Sequence, residues 1–314
     1  MSAETVLRFD CFGGSCGVYV EGDGGDESAA QAAARVRTSL LLWHRRFSRF
    51  EQASELSRLN ADPRERVPVT PLMGRLAATV REAAEITGGL VDATLVPELV
   101  AAGYERELPP VLPPALSVAL APSRRPAGPS RERRWEQIVP EARGVSRPPG
   151  LMLDSGGIAK GLFADELAAT LSAHRSFAID CAGDLAIGGA GEVERLIEVE
   201  SPLDGSVLHT FAVRDGGVAT SGVLARSWLG ADGRPAHHLI DPATGRPAFT
   251  GVLQATALAP SASLAEIHAK AAVLSGPDGA RRWLRWGGAV VLDDLTLEVI
   301  EPAASKAAAG PALL

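Results

Sequence analysis

The 314-residue sequence is poor in cysteine and lysine and has no long apolar run. Cys11, Cys16 and Cys181 are too few and too scattered for a disulfide framework or a cysteine-based zinc site. No stretch of about 18 consecutive apolar residues occurs, so we expect no membrane insertion. The first residues lack a basic segment followed by an apolar one, and we therefore expect a cytoplasmic protein. A net charge of -7 disfavours a nucleic-acid partner.

Common phosphate and dinucleotide signatures are also missing. Lys160 follows Gly156 and Gly157 but is succeeded by Gly161, which excludes a P-loop. No G-x-G-x-x-G motif opens a helix after a strand, so a Rossmann site is unsupported. No H-E-x-x-H zinc motif is present. Any functional site must therefore be formed by other segments of the sequence.

Hydrophobic periodicity predicts an α+β fold. Apolar residues spaced three or four apart predict helices, whereas short β-branched runs bounded by glycine predict strands. We expect one elaborated domain over residues 1–301, with mixed or antiparallel sheets and packed helices, and a frayed Ala/Pro-rich tail over 302–314. The expected helices lie at 36–47, 72–83, 163–171 and 264–274, and the expected strands at 6–20, 151–153, 177–179, 185–187, 195–199 and 208–213.

Residues 107–150 have a different character. Ten of the chain's 22 prolines lie there, together with a cluster of arginines. Because proline does not fit the interior of a helix or a central strand, we interpret this stretch as a surface excursion or linker within the domain. The alternative is an arginine-rich loop that contacts an anion or an acidic partner.

The segment from Asp154 to Gly161 is the first block that can carry chemistry. Gly156 and Gly157 allow backbone N–H groups to approach a ligand, and the following helix adds partial positive charge. Lys160 in the first turn opposes the helix dipole, a conflict that a bound phosphate would resolve. The alternative is a tight strand-to-helix turn with a solvated lysine.

Two further blocks each allow a structural and a functional interpretation. His238 precedes the turn sequence that starts at Asp241, and it is either a general base or a structural histidine. His237 and His238 point to opposite faces of a strand, so at most one of them faces a site. Glu266 and Lys270 are neighbours on one helix face, as a simple ion pair or as part of a metal–phosphate site.

Taken in order, the blocks resemble the FAD:protein FMN transferase family, also called the ApbE family. The resemblance runs from about Phe9 to Gly276. It implies a compact α+β fold with an FAD cleft, and transfer of FMN from FAD to a Thr or Ser hydroxyl of an acceptor protein with release of AMP. The blocks that carry it are residues 47–50, 54–60, 88–94, 154–161, 182–184, 220–222, 238–245 and 266–270.

The resemblance also implies roles for individual residues. His238 and Lys160 are the expected catalytic residues, with His238 moving a proton or orienting the acceptor and Lys160 facing a phosphate. The main-chain carbonyl of Gly157 and the positions of Glu266 and Lys270 match the family's magnesium ligands. The expected FAD contacts are Phe12, Phe50, Asp92, Thr94, Asp154, Lys160, Thr220, Leu239 and Asp241.

The sequence departs from the family pattern at the expected magnesium site. Relatives usually carry Asp and Thr where this chain has Glu266 and Lys270, and a protonated ammonium cannot bind a metal. Two other functions therefore stay open beside transfer: an FAD pyrophosphatase that yields FMN and AMP, and a flavin-binding protein without turnover.

Overall fold

The computed structural model describes residues 4–106, 123–230 and 233–302. Its largest sheet has eight strands, and every strand pairing in the described residues is antiparallel. The strands are β1 Thr5–Cys11, β2 Gly14–Glu21, β3 Arg66–Pro68, β4 Val139–Glu141, β5 Gly144–Ser146, β6 Ser176–Asp180, β7 Asp184–Gly188, β8 Arg195–Glu200, β9 Val207–Val213, β10 Gly216–Gly222, β11 Ser227–Leu229, β12 Pro235–His237, β13 Ile240–Asp241, β14 Arg246–Pro247, β15 Val252–Ala259, β16 Gly288–Leu292 and β17 Leu297–Ile300.

The order of strands in the large sheet is β1-β2-β6-β7-β10-β15-β16-β17. A three-stranded sheet (β3-β5-β4) and the hairpins β8–β9, β11–β12 and β13–β14 surround it. Six helices accompany these strands in the described residues. They are α1 Ala29–Phe47, α2 Glu55–Ala61, α3 Pro71–Thr87, α4 Val96–Ala101, α5 Ala159–Ala168 and α6 Ala262–Ala280.

The core consists of two apolar layers on the two faces of the large sheet. The main cluster packs α1, α3, α5 and α6 against one face. The smaller cluster places side chains of the β8–β9 hairpin, such as Phe211, against the other face. The predicted α+β fold with antiparallel sheets and packed helices is confirmed.

Local sequence signals set the ends of the two longest predicted helices. Ser28 and Gln31 form a capping box at the start of α1. Pro71 begins α3, and Gly88 ends it with a φ of 64°, a left-handed conformation that glycine adopts without strain. The predicted helix at 36–47 starts seven residues too late, because α1 begins at Ala29, and the predicted helix at 72–83 lies within α3.

The linker interpretation of residues 107–150 is wrong for the part from Arg134 onward; residues 107–122 lie outside the described residues. A 3-10 helix at Arg134–Gln137 is followed by β4 and β5, which extend the sheet that β3 begins. Trp135, Ile138 and Val145 are buried in the main core. This stretch therefore closes the domain over α3.

The predicted strand at residues 151–153 is also not a regular strand. The side chain of Asn60 takes the place of a partner strand: its Oδ1 accepts from the Leu153 N–H at 2.8 Å, and its Nδ2 donates to the Leu153 carbonyl at 2.9 Å. The Asp154 N–H donates to the Ala93 carbonyl at 2.8 Å. These bonds hold the chain extended as it enters the bend at Gly156. Of the predicted frayed tail, only Pro302 lies within the described residues.

Candidate active site

The bend between Asp154 and α5 separates two joined compartments of one cleft. The Ser155 carbonyl accepts from the N–H groups of Ile158 and Ala159 at 3.1 and 2.9 Å, which tightens the turn into the helix. The Ser155 hydroxyl donates to the Phe47 carbonyl at 2.6 Å and ties the bend to the end of α1. Gly156 lines both compartments, so its backbone is open to a ligand on either side.

The first compartment is aromatic. It is a cavity of about 150 Å³ that also reaches Lys160 and Arg226. The Phe12 and Phe163 rings lie 5.8 Å apart, and Phe12 has a φ of 55° at the β1–β2 turn. Such a surface suits a flat, apolar ligand ring. The ring-bearing residues that line it are Phe12, His44, Phe47, Phe50, Tyr104 and Phe163.

The second compartment is smaller and mostly apolar, with a few ionisable side chains in its lining. It is a cavity of about 60 Å³ between the bend and α6, and Gly157, Lys270 and His238 line it. Leu239 and Asp92 also face this cavity. The residues that line both compartments are Tyr104, Asp154, Gly156 and Arg226.

Arg49 lies at the boundary between the compartments. Its Nε is 3.3 Å from Asp154 Oδ1, its Nη2 donates to the Tyr104 carbonyl at 2.6 Å, and its guanidinium lies 4.3 and 4.6 Å from the Phe50 and Tyr104 ring centres. The cleft is smaller than the roughly 300–1,000 Å³ that is typical of ligand pockets. We therefore expect the Arg49 side chain to move when a large ligand binds.

Lys160 lies at the edge of the aromatic compartment with an ion-pair partner of its own. Its Nζ is 2.7 Å from Asp184 Oδ2 and donates to the Ala182 carbonyl at 3.3 Å. Burial lowers the pKa of Lys160, but Asp184 and Glu266 outweigh burial and raise the pKa above its usual value. The ammonium is therefore charged at neutral pH and shared between Asp184 and the cleft.

Glu266 and Lys270 lie on the face of α6 that meets the bend. Glu266 Oε1 accepts from the Lys270 ammonium at 3.2 Å, and Oε2 accepts from the Gly161 N–H at 2.9 Å. Burial raises the pKa of Glu266, yet Lys270 and Lys160 hold it below its usual value. Both carboxylate oxygens are therefore engaged, and a lysine stands where a third ligand would be needed. This donor set does not fit a divalent cation.

The rest of the described chain offers no alternative metal site. Within residues 4–106, 123–230 and 233–302, no three His, Cys, Asp or Glu side chains converge in a way that could hold a metal ion. Mg²⁺ would also need several oxygen ligands in near-octahedral geometry. Of the three positions that the resemblance assigns to the metal, Gly157 contributes a single main-chain carbonyl, which is too few ligands on its own.

Asp92 presents a buried carboxylate to the second compartment. Its Oδ1 accepts from the Thr94 N–H and hydroxyl at 2.8 and 2.6 Å, whereas its buried Oδ2 has no hydrogen-bond partner. Burial raises the pKa of Asp92. An orphaned acceptor that faces a cleft is a site for a donor group on a ligand.

His238 and His237 have different surroundings, as their alternation along the chain predicts. The His238 Nδ1 lies 3.4 Å from the Arg226 carbonyl, and the ring lines the second compartment. Burial and the nearby charges of Arg226 and Lys270 lower the pKa of His238 well below its usual value. His238 is therefore neutral at neutral pH. Because a carbonyl only accepts, Nδ1 carries the proton and Nε2 is left as a base.

Three of the predicted FAD contacts line neither compartment. Thr94 is buried behind Asp92, and the Thr220 hydroxyl is bonded to Thr256 at 2.8 Å. Asp241 caps its own turn by accepting from Ala243 N–H and the Thr244 hydroxyl. Glu266 does not line the cleft but forms an ion pair with Lys270, which does. The other predicted residues that line the cleft are Phe12, Phe50, Asp92, Asp154, Gly157, Lys160, His238, Leu239 and Lys270.

Sequence reasoning gave no role to several residues of the cleft, among them Arg49, Tyr104 and Arg226. Arg49 lies inside the 47–50 block, and its position next to Phe50 was an available signal. Arg226 has no such signal, because its Nη2 reaches the site by donating to the distant Phe12 carbonyl at 2.6 Å.

Fold and cleft together define an α+β protein whose cleft combines aromatic rings, a glycine bend at a helix N-terminus and buried ammonium groups. These are the elements with which proteins bind an aromatic, phosphate-bearing ligand. Among the helices of the described residues, none is long and apolar enough to cross a membrane.

Comparison with known proteins identifies the family to which the chain belongs. The model of the ApbE family matches residues 12–292, and the chain belongs to the ApbE family. A protein of Klebsiella pneumoniae named FAD:protein FMN transferase is 27% identical over 281 residues, which is 85% of this chain and 78% of that relative. One of the same name from Treponema pallidum is 33% identical, but the match spans only 43% of this chain and 41% of that relative.

Solved structures agree on the fold. The ApbE protein of Thermotoga maritima superimposes with a TM-score of 0.77 at 24% identity, covering 95% of this chain and 97% of that one. The flavin transferase ApbE of Vibrio cholerae gives a TM-score of 0.72 at 20% identity, covering 96% and 98%.

Proposed function

We propose that this protein is an FAD:protein FMN transferase. The observation that carries the proposal is the pair of compartments joined across the Gly156–Gly157 bend, one aromatic and one with Lys270 and His238. A dinucleotide has the same division, with aromatic rings at its ends and a pyrophosphate between them. The name shared by the relatives from Klebsiella pneumoniae and Treponema pallidum supports the same activity.

In this proposal the FAD pyrophosphate lies across the bend. The backbone N–H groups of Gly156 and Gly157 and the ammonium groups of Lys160 and Lys270 offset its charge. The ring-lined compartment, with Phe12 and Phe50, receives one aromatic end of FAD. The unpaired Oδ2 of Asp92 accepts a hydrogen bond from FAD in the second compartment.

The reaction transfers a phosphoryl-linked group. A Thr or Ser hydroxyl oxygen of the acceptor protein attacks the FMN-side phosphorus, and a new oxygen–phosphorus bond forms. The bond from that phosphorus to the bridging oxygen breaks, and AMP leaves with the bridging oxygen. The hydroxyl proton passes to a base, so charge and atoms balance.

His238 is the base in this scheme. Its Nε2 is unprotonated at neutral pH and is directed by the bond between Nδ1–H and the Arg226 carbonyl. A lowered pKa makes the imidazole a weak base, so its effect depends on orientation of the hydroxyl as much as on proton affinity.

Two finer points belong to the proposal. A cytoplasmic location is supported by the three cysteines, which are all free thiols and buried. The Mg²⁺ requirement that the resemblance implies stays a prediction, and the lysine within the expected ligand set argues against it.

The test is incubation of the purified protein with FAD and Thr- or Ser-containing peptides. Transfer predicts AMP release that depends on peptide, and a peptide that gains an FMN group by mass spectrometry. AMP and free FMN without peptide would indicate a pyrophosphatase instead. Tight FAD binding without AMP under all conditions would indicate a flavin-binding protein without turnover.

A further inference from the structure

The Lys270 ammonium occupies the floor of the second compartment. It donates to Glu266 Oε1 at 3.2 Å, and the side chains of Lys270 and Glu266 are only 10% and 1% exposed. The helical i,i+4 spacing aims both side chains at the bend. A charged group in this position is fixed by burial and cannot swing out into solvent without breaking the pair.

Lys270 also lies against the bend itself. A Cβ placed on Gly157 would lie 3.7 Å from Lys270 Cε, which is ordinary van der Waals contact. The lysine stem therefore fills the space between Gly157 and Glu266. The resemblance assigns a divalent cation to that space.

The polar atoms next to Lys270 are not available to bind a cation. The second oxygen of Glu266 is held by the Gly161 N–H at 2.9 Å, which fixes the carboxylate to the first turn of α5. Lys270 offers three N–H donors and no lone pair, so it repels a metal ion and cannot bind one. The same ammonium attracts a phosphate oxygen through charge and hydrogen bonds.

We propose that Lys270 is a built-in cation that replaces the divalent metal, so that FAD binds this protein without added metal ions. Glu266 is the positioning residue, because it holds the ammonium toward the bend without contacting the ligand. The inference rests on the proposed function and specifies its cofactor requirement. Phosphate charge is then offset by Lys270, Lys160 and the backbone of the bend.

The first measurement needs no variant. FAD is titrated into the full-length protein by calorimetry, once in EDTA and once in millimolar Mg²⁺. The inference predicts dissociation constants that agree within about twofold. Binding in Mg²⁺ but not in EDTA would overturn it and leave the proposed function intact, whereas no binding in either buffer would contradict the proposed function.

A second measurement uses Mn²⁺ as a spin probe of the metal site. The electron paramagnetic resonance signal of added Mn²⁺ should be the same with and without the free protein. With the FAD complex, the signal should fall only as much as it does with FAD alone. Stoichiometric loss of the free Mn²⁺ signal on the protein would overturn the inference.

Variants then separate the effect of the Lys270 charge on FAD binding from its effect on folding. Lys270→Met keeps the stem and removes the charge, and we expect FAD affinity in EDTA to fall more than tenfold. Arg281→Met, which removes an exposed cation beyond the cleft at the end of α6, is the matched control and should leave the affinity unchanged.

The double variant Glu266→Asp, Lys270→Thr should make FAD affinity depend on Mg²⁺. Circular dichroism verifies that each variant is folded. Equal losses of affinity in Lys270→Met and in the control variant would contradict the inference.

Discussion

At the scale of single residues, the retained lysines mark the cleft. Only three lysines occur beside 28 arginines, and Lys160 and Lys270 both line the candidate site. An ammonium is a compact charge that suits a small, buried anion pocket better than the planar guanidinium. Both lysines are paired with buried carboxylates, so removing either ammonium would also leave a buried acceptor without its partner.

Lys160→Ala tests both roles at once. We expect FAD affinity to fall more than tenfold, because a charge facing the pyrophosphate is lost. We also expect the unfolding free energy to fall by about 1–3 kcal/mol, because Asp184, whose pKa burial raises to about 7, loses the ammonium that pairs with it and stays buried as a protonated, unpaired carboxyl. Adding Asp184→Asn should restore much of the stability, measured by urea unfolding, without restoring FAD affinity. Recovery of both together would show that Lys160 acts only through the fold.

His238→Asn separates proton transfer from binding. The amide keeps a donor for the Arg226 carbonyl and removes the basic Nε2. Peptide-dependent AMP release should fall about 10²–10⁴-fold while the dissociation constant of FAD changes by less than about threefold. His209→Asn, in the β8–β9 hairpin and outside both compartments, is the control. Unchanged AMP release in His238→Asn would rule out the proposed role.

At the scale of elements, the contact between α5 and α6 positions the bend. A Cβ on Gly161 would lie 2.6 Å from the Ala262 carbonyl oxygen and 2.7 Å from Ser263 Cα, both in backbone that cannot yield easily. Asp165 holds the same corner by accepting from the N–H groups of Ala262 and Ser263. The two helices therefore fix the distance between the bend and Lys270.

Gly161→Ala should destabilise the protein although alanine normally stabilises a helix interior. The usual gain is about 0.5–1 kcal/mol, but we expect a loss of about 1–3 kcal/mol from overpacking. Thermal unfolding followed by circular dichroism measures the sign directly. A gain in stability would show that the helices are not in close contact at this glycine.

Elements with strong periodicity were predictable from sequence, and those held by single side chains were not. The spacing of Val36 and Leu40 and that of Leu72 and Leu76 predicted their helices correctly. Trp135 and Ile138 are three residues apart, but the stretch between Pro129 and Pro140 is short and mostly polar or charged, so it shows no sustained period that would reveal a buried segment. The extended chain before the bend depends on the distant side chain of Asn60, which no local pattern encodes.

At the scale of the whole molecule, a buried histidine links stability to pH. Burial lowers the pKa of His237 to about 4, and its buried Nε2 has no hydrogen-bond partner. The unfolded chain binds a proton near pH 6.5, so the stabilisation is complete above that pH and is lost as the pH falls toward 4.

The sequence blocks that form the candidate site could be predicted one by one. Which of these blocks meet in one cleft could not be predicted, because residues far apart in the sequence come together only in the folded chain.

His237→Asn removes that titration. The wild-type free energy of unfolding should fall by about 3 kcal/mol more than that of the variant between pH 7 and pH 4, from roughly 1.4 kcal/mol for each unit of pKa difference. Urea unfolding at several pH values gives both curves. Parallel curves would show that folding does not lower the pKa of His237.

The central claim is that the pyrophosphate of FAD lies across the Gly156–Gly157 bend, and a crystal structure of the protein with FAD tests it most directly. The account predicts phosphate oxygens within about 3 Å of the Gly156 or Gly157 N–H groups and of the Lys270 ammonium. It also predicts an aromatic end of FAD against Phe12 and a displaced Arg49 side chain. FAD bound elsewhere, with this bend unoccupied, would contradict it.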